Sequence, residues 1–179
     1  MSPVFSFTTC AGTVCFLDDF SDADVSDWTA SGKGVRVAAY GKMRVKSKKQ
    51  LIVMSPAPAM GDGIIEAKLE LRNGRHQAGG VFGYQGTNAF RRLVIMSSGK
   101  LRFEERAAGR LRRIALGRHA MPRARFNLTL QSTGAVVTAS VDGNPVLTGT
   151  YAGAQSGRFG IQAMATTLTV DDVRVEGMP

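Results

Sequence analysis

The chain has 179 residues, of which 44% are hydrophobic, and a formal net charge of +9 at pH 7. That length suits a single domain, and that hydrophobic fraction supports a core, which excludes global disorder. No run approaches the roughly 18 apolar residues of a membrane-spanning helix, so we expect no membrane span. Residues 1–20 lack a basic leader and a small-residue cleavage site, and we predict no signal peptide there. Because a leader can be removed, its absence does not indicate a cytoplasmic protein; the localisation stays open, with an extracellular or periplasmic one as the hypothesis.

Segments with alternating apolar and polar residues follow one another along the chain. In 123–131, Phe126, Leu128 and Leu130 share one side and polar residues share the other. This period of two is typical of strands with one face in a core. Helical periodicity is not sustained over 11 residues anywhere. In chain order we predict strands near 14–20, 34–39, 42–46, 50–54, 63–72, 77–85, 89–97, 100–106, 110–116, 123–131, 134–142, 144–148, 157–164 and 166–175.

Short glycine-containing turns separate these segments. Asp142-Gly143-Asn144 and Ala108-Gly109-Arg110 are typical hairpin turns, because glycine accepts the positive φ that such turns require. The connections are too short for crossover helices, so the strands should pair antiparallel. An all-β sandwich or barrel follows.

The order of several stretches resembles the concanavalin A-like lectin/glucanase superfamily, in its laminin G-like branch. The resemblance covers roughly residues 15–176 and is specific for fold more than for activity. It implies a two-sheet antiparallel jelly roll, with residues 1–13 as an N-terminal arm and 14–179 as one domain. It is carried by FLDDFSD at 16–22 followed by Trp28, GIIEAKLEL at 63–71, AGGVFGY at 78–84, AFRRLVI at 89–95, and the closing stretches 141–143, 157–161 and 170–175.

Paired catalytic carboxylates are the first type of site that the resemblance implies. Glycosidases need two of them about 5 to 10 Å apart, and laminarinase-type relatives carry E-x-D-x-x-E on one strand. Here the corresponding stretch, Phe90–Met96, has no acid. Glu104 and Glu105 are adjacent, so in a strand they face opposite sides. A conventional glycosidase is disfavoured, and we expect a non-catalytic domain.

A polysaccharide lyase is an alternative. Such enzymes neutralise a uronate carboxylate with Arg or Gln and move protons with His or Tyr. Arg75, His76, Gln77 and Tyr84 lie close along the chain. Their order does not match the alginate-lyase motifs, and His76 is equally well an ordinary loop residue.

The last predicted strand breaks its alternation at an aspartate pair. Leu168 and Val170 share one parity, whereas Val173 and Val175 share the other. A β-bulge at Asp171-Asp172 would return all four side chains to one face.

A structural calcium ion is a further expectation of the resemblance, because many concanavalin A-like sandwiches tie the first strand to the last with one. Asp18-Asp19 and Asp171-Asp172 occupy those two ends. Calcium prefers carboxylate and carbonyl oxygens, and we expect Asp19 and Asp171 as ligands. The alternative is a bulge without metal, with solvated carboxylates. Cys10 and Cys15 could form a small disulfide in an exported protein or remain as packed thiols.

The whole charge excess lies between residues 91 and 125. That stretch has ten Arg and one Lys against only Glu104 and Glu105. If its four predicted strands are neighbours, their outward arginines collect on one face. Arginine binds carboxylate and sulfate bidentately, so an anionic polysaccharide is the expected partner. The candidate ligand-binding residues are Arg91, Arg102, Arg106, Arg112, Arg123 and Arg125, together with Tyr84 and His76.

A charged face that keeps the protein soluble and blunts strand edges is the simpler interpretation of these arginines. Nucleic acid is disfavoured, because the basic stretch has few aromatic residues for base stacking. The sequence therefore favours a non-catalytic, lectin-like carbohydrate-binding domain. A lyase or glycoside hydrolase of the same fold and a structural, protein-binding domain of a larger surface protein are the alternatives. The oligomeric state is not determined by these patterns.

Overall fold

The protein is built from strands. The computed structural model describes residues 9–10, 13–38, 40–57, 59–72, 77–120, 125–154 and 156–178. Within these ranges there are sixteen strands and no helix, hence none that could cross a membrane. The strands are β1 (Thr9–Cys10), β2 (Thr13–Asp18), β3 (Thr29–Ser31), β4 (Val35–Ala38), β5 (Met43–Ser47), β6 (Leu51–Met54), β7 (Gly63–Arg72), β8 (Gln77–Gly86), β9 (Ala89–Met96), β10 (Lys100–Ala107), β11 (Arg110–Arg118), β12 (Arg125–Thr133), β13 (Val136–Val141), β14 (Asn144–Thr150), β15 (Arg158–Met164) and β16 (Thr166–Gly177).

The strands form two antiparallel sheets. The nine-stranded sheet runs β1-β2-β16-β7-β12-β13-β14, with β5 also paired to β16 and β4 paired to β5. The seven-stranded sheet runs β11-β10-β9-β8-β15-β6-β3. This confirms the predicted two-sheet antiparallel sandwich. Each of the fourteen predicted strands is present, whereas β1 and β3 were not predicted, because two or three residues are too few to show alternation.

The core lies between the two sheets and follows from the alternation. Phe126, Leu128 and Leu130 of β12 are buried, as predicted, and their neighbours in the strand are more exposed. Phe82 and Phe103 come from the other sheet and meet edge to face, with ring centroids 6.1 Å apart. Each such buried side chain stabilises the fold by about 1.5 to 3 kcal/mol.

The predicted bulge in β16 is confirmed. The register between β16 and β7 shifts between Asp171 and Arg174, and Asp172 has a φ of 47°. Leu168, Val170, Val173 and Val175 are all buried on one face as a result.

The bulge also marks a change of partner along the other edge of β16. Thr166–Val170 pairs with β5, and Val173–Glu176 pairs with β2. The sheet is therefore interrupted beside Asp171 and Asp172. After β2 the chain leaves the nine-stranded sheet at this break. Its next strand, β3, belongs to the seven-stranded sheet, where it pairs with β6.

One predicted neighbourhood is wrong. β9, β10 and β11 are adjacent, as expected, but β12 lies between β7 and β13 in the other sheet. The alternation in β12 shows which of its faces is buried and does not show which sheet it joins. Arg125 is therefore separated from the arginines of β9–β11.

Candidate functional site

Charge is divided unequally between the two sheets. The strands of the nine-stranded sheet carry six acidic and seven basic residues. Those of the seven-stranded sheet carry only two acidic residues, Glu104 and Glu105, against ten basic ones: Arg91, Arg92, Lys100, Arg102, Arg106, Arg110, Arg112, Arg113, Arg118 and Arg158.

Adjacent strands bring part of this charge to the outer face of the seven-stranded sheet, the face turned away from the core. On β10, Arg102, Glu104 and Arg106 alternate with the core residue Phe103. Glu104 is opposite Arg92 of β9. Among the strands of this sheet, Glu104 is the one acidic residue whose side chain lies on the outer face.

Glu104 is held between two arginines. Arg92 Nε donates to Glu104 Oε2 at 2.8 Å, and Arg92 Nη1 donates to Gln162 Oε1 at 3.1 Å. Arg102 Nε lies 3.2 Å from Glu104 Oε1. Arg92 and Glu104 are buried, so their opposite charges compensate each other where water is scarce. One positive charge of the three groups remains uncompensated.

Glu105 forms a second arrangement on the opposite, inner side of the sheet. Arg91 Nε donates to its Oε1 at 3.0 Å, and Arg112 Nη2 donates to its Oε2 at 2.6 Å. The Arg91 guanidinium carbon is 4.2 Å from the centroid of the Tyr151 ring, and burial raises the pKa of Tyr151. The expectation that Glu104 and Glu105 face opposite sides is confirmed. Arg91 and Arg112 therefore do not share a surface with Arg102.

Two guanidinium donors on the outer face lack an acceptor. The Nε atoms of Arg102 and Arg106 are buried and make no hydrogen bond in the described part of the chain. The Nε–H of Arg102 does not point at the nearby Glu104 oxygen, despite the short distance. Arg106 Nη1 makes a long bond of 3.4 Å to the Thr87 carbonyl. A buried donor without an acceptor costs about 1 to 3 kcal/mol.

An apolar patch adjoins these groups. Ile52, Met54, Val81 and Phe90 form a cluster separate from the main core, and Tyr84 packs against it. The Tyr84 ring stacks on Phe90 with centroids 6.1 Å apart. Phe90 is opposite Arg106 in the sheet, so the Tyr84 ring lies on the same face as Arg106.

The remaining predicted ligand-binding residues are not brought to this face. Arg125 lies on β12 and donates to Glu70 at 2.8 Å. His76 and Arg123 lie outside the described residues, as do the side chains of Cys10 and Cys15.

The predicted calcium ligands lie near the bulge. Asp171 is 3.7 Å from Lys42 Nζ. Asp19 accepts a hydrogen bond from the Ser21 backbone amide at 2.9 Å, which lowers its pKa. No three His, Cys, Asp or Glu side chains of the described ranges are grouped to hold a metal. These side chains do not by themselves build a calcium cage, and the ion stays a prediction.

A pocket of about 1080 Å³ lies beside the bulge, at the break in the nine-stranded sheet. Sequence reasoning did not identify it, although the acid-rich run at 18–27 contributes much of its lining. Its apolar floor consists of buried side chains: Phe16, Trp28, Ala67, Leu128 and Val173. Polar groups line the rest, among them Asp19, Asp22, Lys68, Asn127 and Arg174.

Solved structures with the same architecture were found by comparison. A carbohydrate binding module, CBM66 from Bacillus subtilis, matches with a TM-score of 0.73 and 15% identity, over 84% of this chain and 96% of that one. A Bacillus licheniformis β-glucanase matches with a TM-score of 0.67 and 12% identity, over 92% and 98%. A galectin-like protein of unknown function from Bacillus subtilis matches with a TM-score of 0.73 and 13% identity, over 92% and 97%.

The fold is a concanavalin A-like jelly roll. This confirms the architecture that the sequence resemblance implied. No protein-family model matches the chain, and no curated protein matches it in sequence. At identities this low, the likeness to the solved jelly rolls concerns the fold alone.

The pocket wall of this jelly roll is anchored by Asp18. Its Oδ2 accepts a hydrogen bond from Trp28 Nε1 at 2.6 Å, and its Oδ1 accepts one from the Phe20 amide at 2.8 Å. Burial raises the pKa of Asp18, and these two hydrogen bonds oppose that shift. The Trp28 ring packs against Phe16 and Phe20, with centroids 5.9 Å away in each case. Trp28 is therefore packed near the N-terminal strand β2.

We expect Asp18→Asn to destabilise the jelly roll by about 1 to 3 kcal/mol, because an amide offers one acceptor oxygen where the carboxylate offers two. Either the Trp28 indole or the Phe20 amide loses its partner. Urea unfolding followed by circular dichroism measures the change. Asp24→Asn is the control, because Asp24 is exposed and bonds only within its own turn. Equal stability of the two variants would contradict the anchoring role.

Proposed function

We propose that the protein is a non-catalytic carbohydrate-binding domain that takes an acidic glycan on the outer face of its seven-stranded sheet. The observation that carries the proposal is the excess of positive charge on this face, where Arg92 and Arg102 share the carboxylate of Glu104 and Arg106 makes its one described hydrogen bond to a backbone carbonyl. A ligand carboxylate or sulfate would balance this charge, through the short, charge-assisted hydrogen bonds that guanidinium groups make.

The surrounding charge favours an anionic ligand. Arg92 and Arg102 share the single carboxylate of Glu104, and Arg106 has no acidic partner in the described part of the chain. A glycan carboxylate approaching this face therefore meets a net positive potential. The half-buried Tyr84 ring beside it offers an apolar surface to the sugar.

The solved jelly rolls support a carbohydrate ligand in general terms. One of them is named a carbohydrate binding module, and another is named a β-glucanase. The arrangement of arginines supports the narrower proposal of an acidic one.

Glu104 supports the non-catalytic part of the proposal. Hydrolysis of a glycosidic bond ordinarily uses two carboxyl groups flanking that bond. The described strands bring one carboxylate to the outer face, and its oxygens are engaged by Arg92 and Arg102. Such a carboxylate is suited to hold guanidinium groups in place.

We expect Arg102→Ala and Arg106→Ala each to weaken binding of alginate, pectate or heparin oligosaccharides by about tenfold, which corresponds to about 1.4 kcal/mol. Titration calorimetry at low salt measures the dissociation constants, and added salt should weaken binding further. Arg125→Ala is the matched control, because it removes the same charge from the other sheet.

Three results would overturn the proposal. The first is no binding of any of the three polymers at low salt. The second is an equal loss in the Arg125→Ala control. The third is release of unsaturated sugar ends, seen by ultraviolet absorbance, which would identify a lyase instead of a binding domain.

A further inference from the structure

We infer that the pocket beside the β16 bulge is a second glycan site, distinct from the arginine face, and that it takes an uncharged sugar. Its volume of about 1080 Å³ is just above the usual range for small-molecule sites, about 300 to 1,000 Å³, and therefore has room for several sugar units. An apolar floor with polar groups around it is the usual composition of such sites. A sugar ring has the matching chemistry, with apolar C–H faces and a belt of hydroxyl groups.

The floor of the pocket is made by the break in the nine-stranded sheet. Because β5 and β2 contact different parts of β16, no strand covers Asp171 and Asp172 along that edge within the described chain. The side chains of Phe16, Trp28 and Val173, which belong to the core, line the pocket there. The pocket therefore combines rigid core side chains with access from solvent.

Exposed apolar side chains stand beside the pocket. Leu17, which lines it, has 53% of its surface exposed. Tyr40, at the tip of the β4–β5 turn, is 99% exposed. A Cβ added to the next residue, Gly41, would lie 3.5 Å from the backbone carbonyl oxygen of Asp19, another lining residue. A fully exposed ring contributes no hydrophobic stabilisation to the fold. Aromatic rings with one polar end are suited to packing against the faces of sugars.

The charges around the pocket select against acidic sugars. Its two basic residues already have acidic partners, since Lys68 bonds Asp172 and Arg174 bonds Glu176. Acidic side chains outnumber them: Asp18, Asp19, Asp22, Asp24, Asp27, Glu66 and Asp172. Carboxylates accept hydrogen bonds from hydroxyl groups and repel a uronate or a sulfate. The ligand class thus differs from that proposed for the arginine face.

Trp28 allows occupancy of this pocket to be measured directly. It is the single tryptophan of the chain, and it lines the pocket. We would titrate the full chain with β-glucan, xylan and levan hexasaccharides, and separately with an alginate hexasaccharide, while recording tryptophan emission. We expect a saturable change with at least one of the uncharged probes at about 1 mM or below and none with alginate.

Two variants test where that probe binds. Thr129→Phe adds a large ring to the pocket wall, and Tyr40→Ala removes the exposed ring; each should weaken the binding at least about tenfold. Thr138→Phe is the matched control, since Thr138 lies on the neighbouring strand β13 and does not line the pocket. Circular dichroism melting confirms that each variant is folded.

Absence of an emission change with all three uncharged probes would overturn the inference. So would an equal response to alginate, or unchanged binding in both folded pocket variants. Arg102→Ala and Arg106→Ala should leave the tryptophan titration unchanged. Failure of the arginine face to bind acidic glycans would therefore be a separate result from failure of this pocket.

Discussion

Replacing Glu105 by glutamine is expected to lower the free energy of unfolding by about 3 to 5 kcal/mol. Glu105 is the acidic partner of Arg91, whose side chain is only 6% exposed. Glutamine keeps the shape and removes the negative charge, so the Arg91 guanidinium remains buried with a carbonyl and an aromatic ring as its neighbours. An uncompensated buried charge is among the costliest defects in a folded protein. Urea unfolding at neutral pH measures the loss.

The matched control is Glu70→Gln on the nine-stranded sheet. It breaks the ion pair with Arg125, whose side chain is 61% exposed, and exposed pairs contribute about 0 to 1 kcal/mol. The double variant Arg91→Leu with Glu105→Leu removes both buried charges and should be more stable than Glu105→Gln alone. A loss no larger than that of the control would show that Arg91 is solvated after all.

Replacing Gly79 by alanine should destabilise the sandwich by about 3 kcal/mol or more. A Cβ at this position would lie 2.1 Å from the Leu93 carbonyl oxygen of the adjacent strand, far inside contact distance. Gly79 also has a φ of +153°, a backbone conformation that other residues rarely adopt. β8 lies in the interior of its sheet, between β9 and β15, so neither neighbour can move away without loss of pairing. The shift in urea midpoint gives the magnitude.

Gly61→Ala provides the comparison for this prediction. Apart from its two chain neighbours, no atom of the described residues lies within 4 Å of the added methyl group, and the φ of Gly61 is outside the left-handed range, so we expect a change within about 0.5 kcal/mol. Similar midpoints for the two variants would mean that β8 and β9 can separate locally to accept a side chain.

The architecture was predictable from local pattern, because a strand with one buried face must alternate. The parity change between Val170 and Val173 even located the bulge, since only an extra residue returns four apolar side chains to one face. Alternation shows which face of a strand is buried, but it does not show which of the two sheets the strand joins. For that reason the sequence grouped Arg125 with arginines that lie in the other sheet.

The candidate sites were predictable only in part. The concentration of arginine was evident, but the partners of Glu104 and Glu105 depend on strand register across β9, β10 and β11. Register shows that adjacent glutamates bind arginines on opposite sides of one sheet. The pocket depends on two strands, β2 and β5, meeting the same edge of β16, a long-range pairing without a local pattern.

The position of β16 has a consequence for how the chain reaches this structure. β16 pairs with β2, β5 and β7, so it joins partners from the first half of the chain, and it follows the other fifteen strands in synthesis. Contacts between residues so far apart in sequence form slowly, because a large loop must close first. During translation the edges of β2, β5 and β7 that pair with β16 therefore remain without a partner until β16 has been synthesised. Unpaired strand edges promote aggregation, so the nascent chain depends most on protection during this interval.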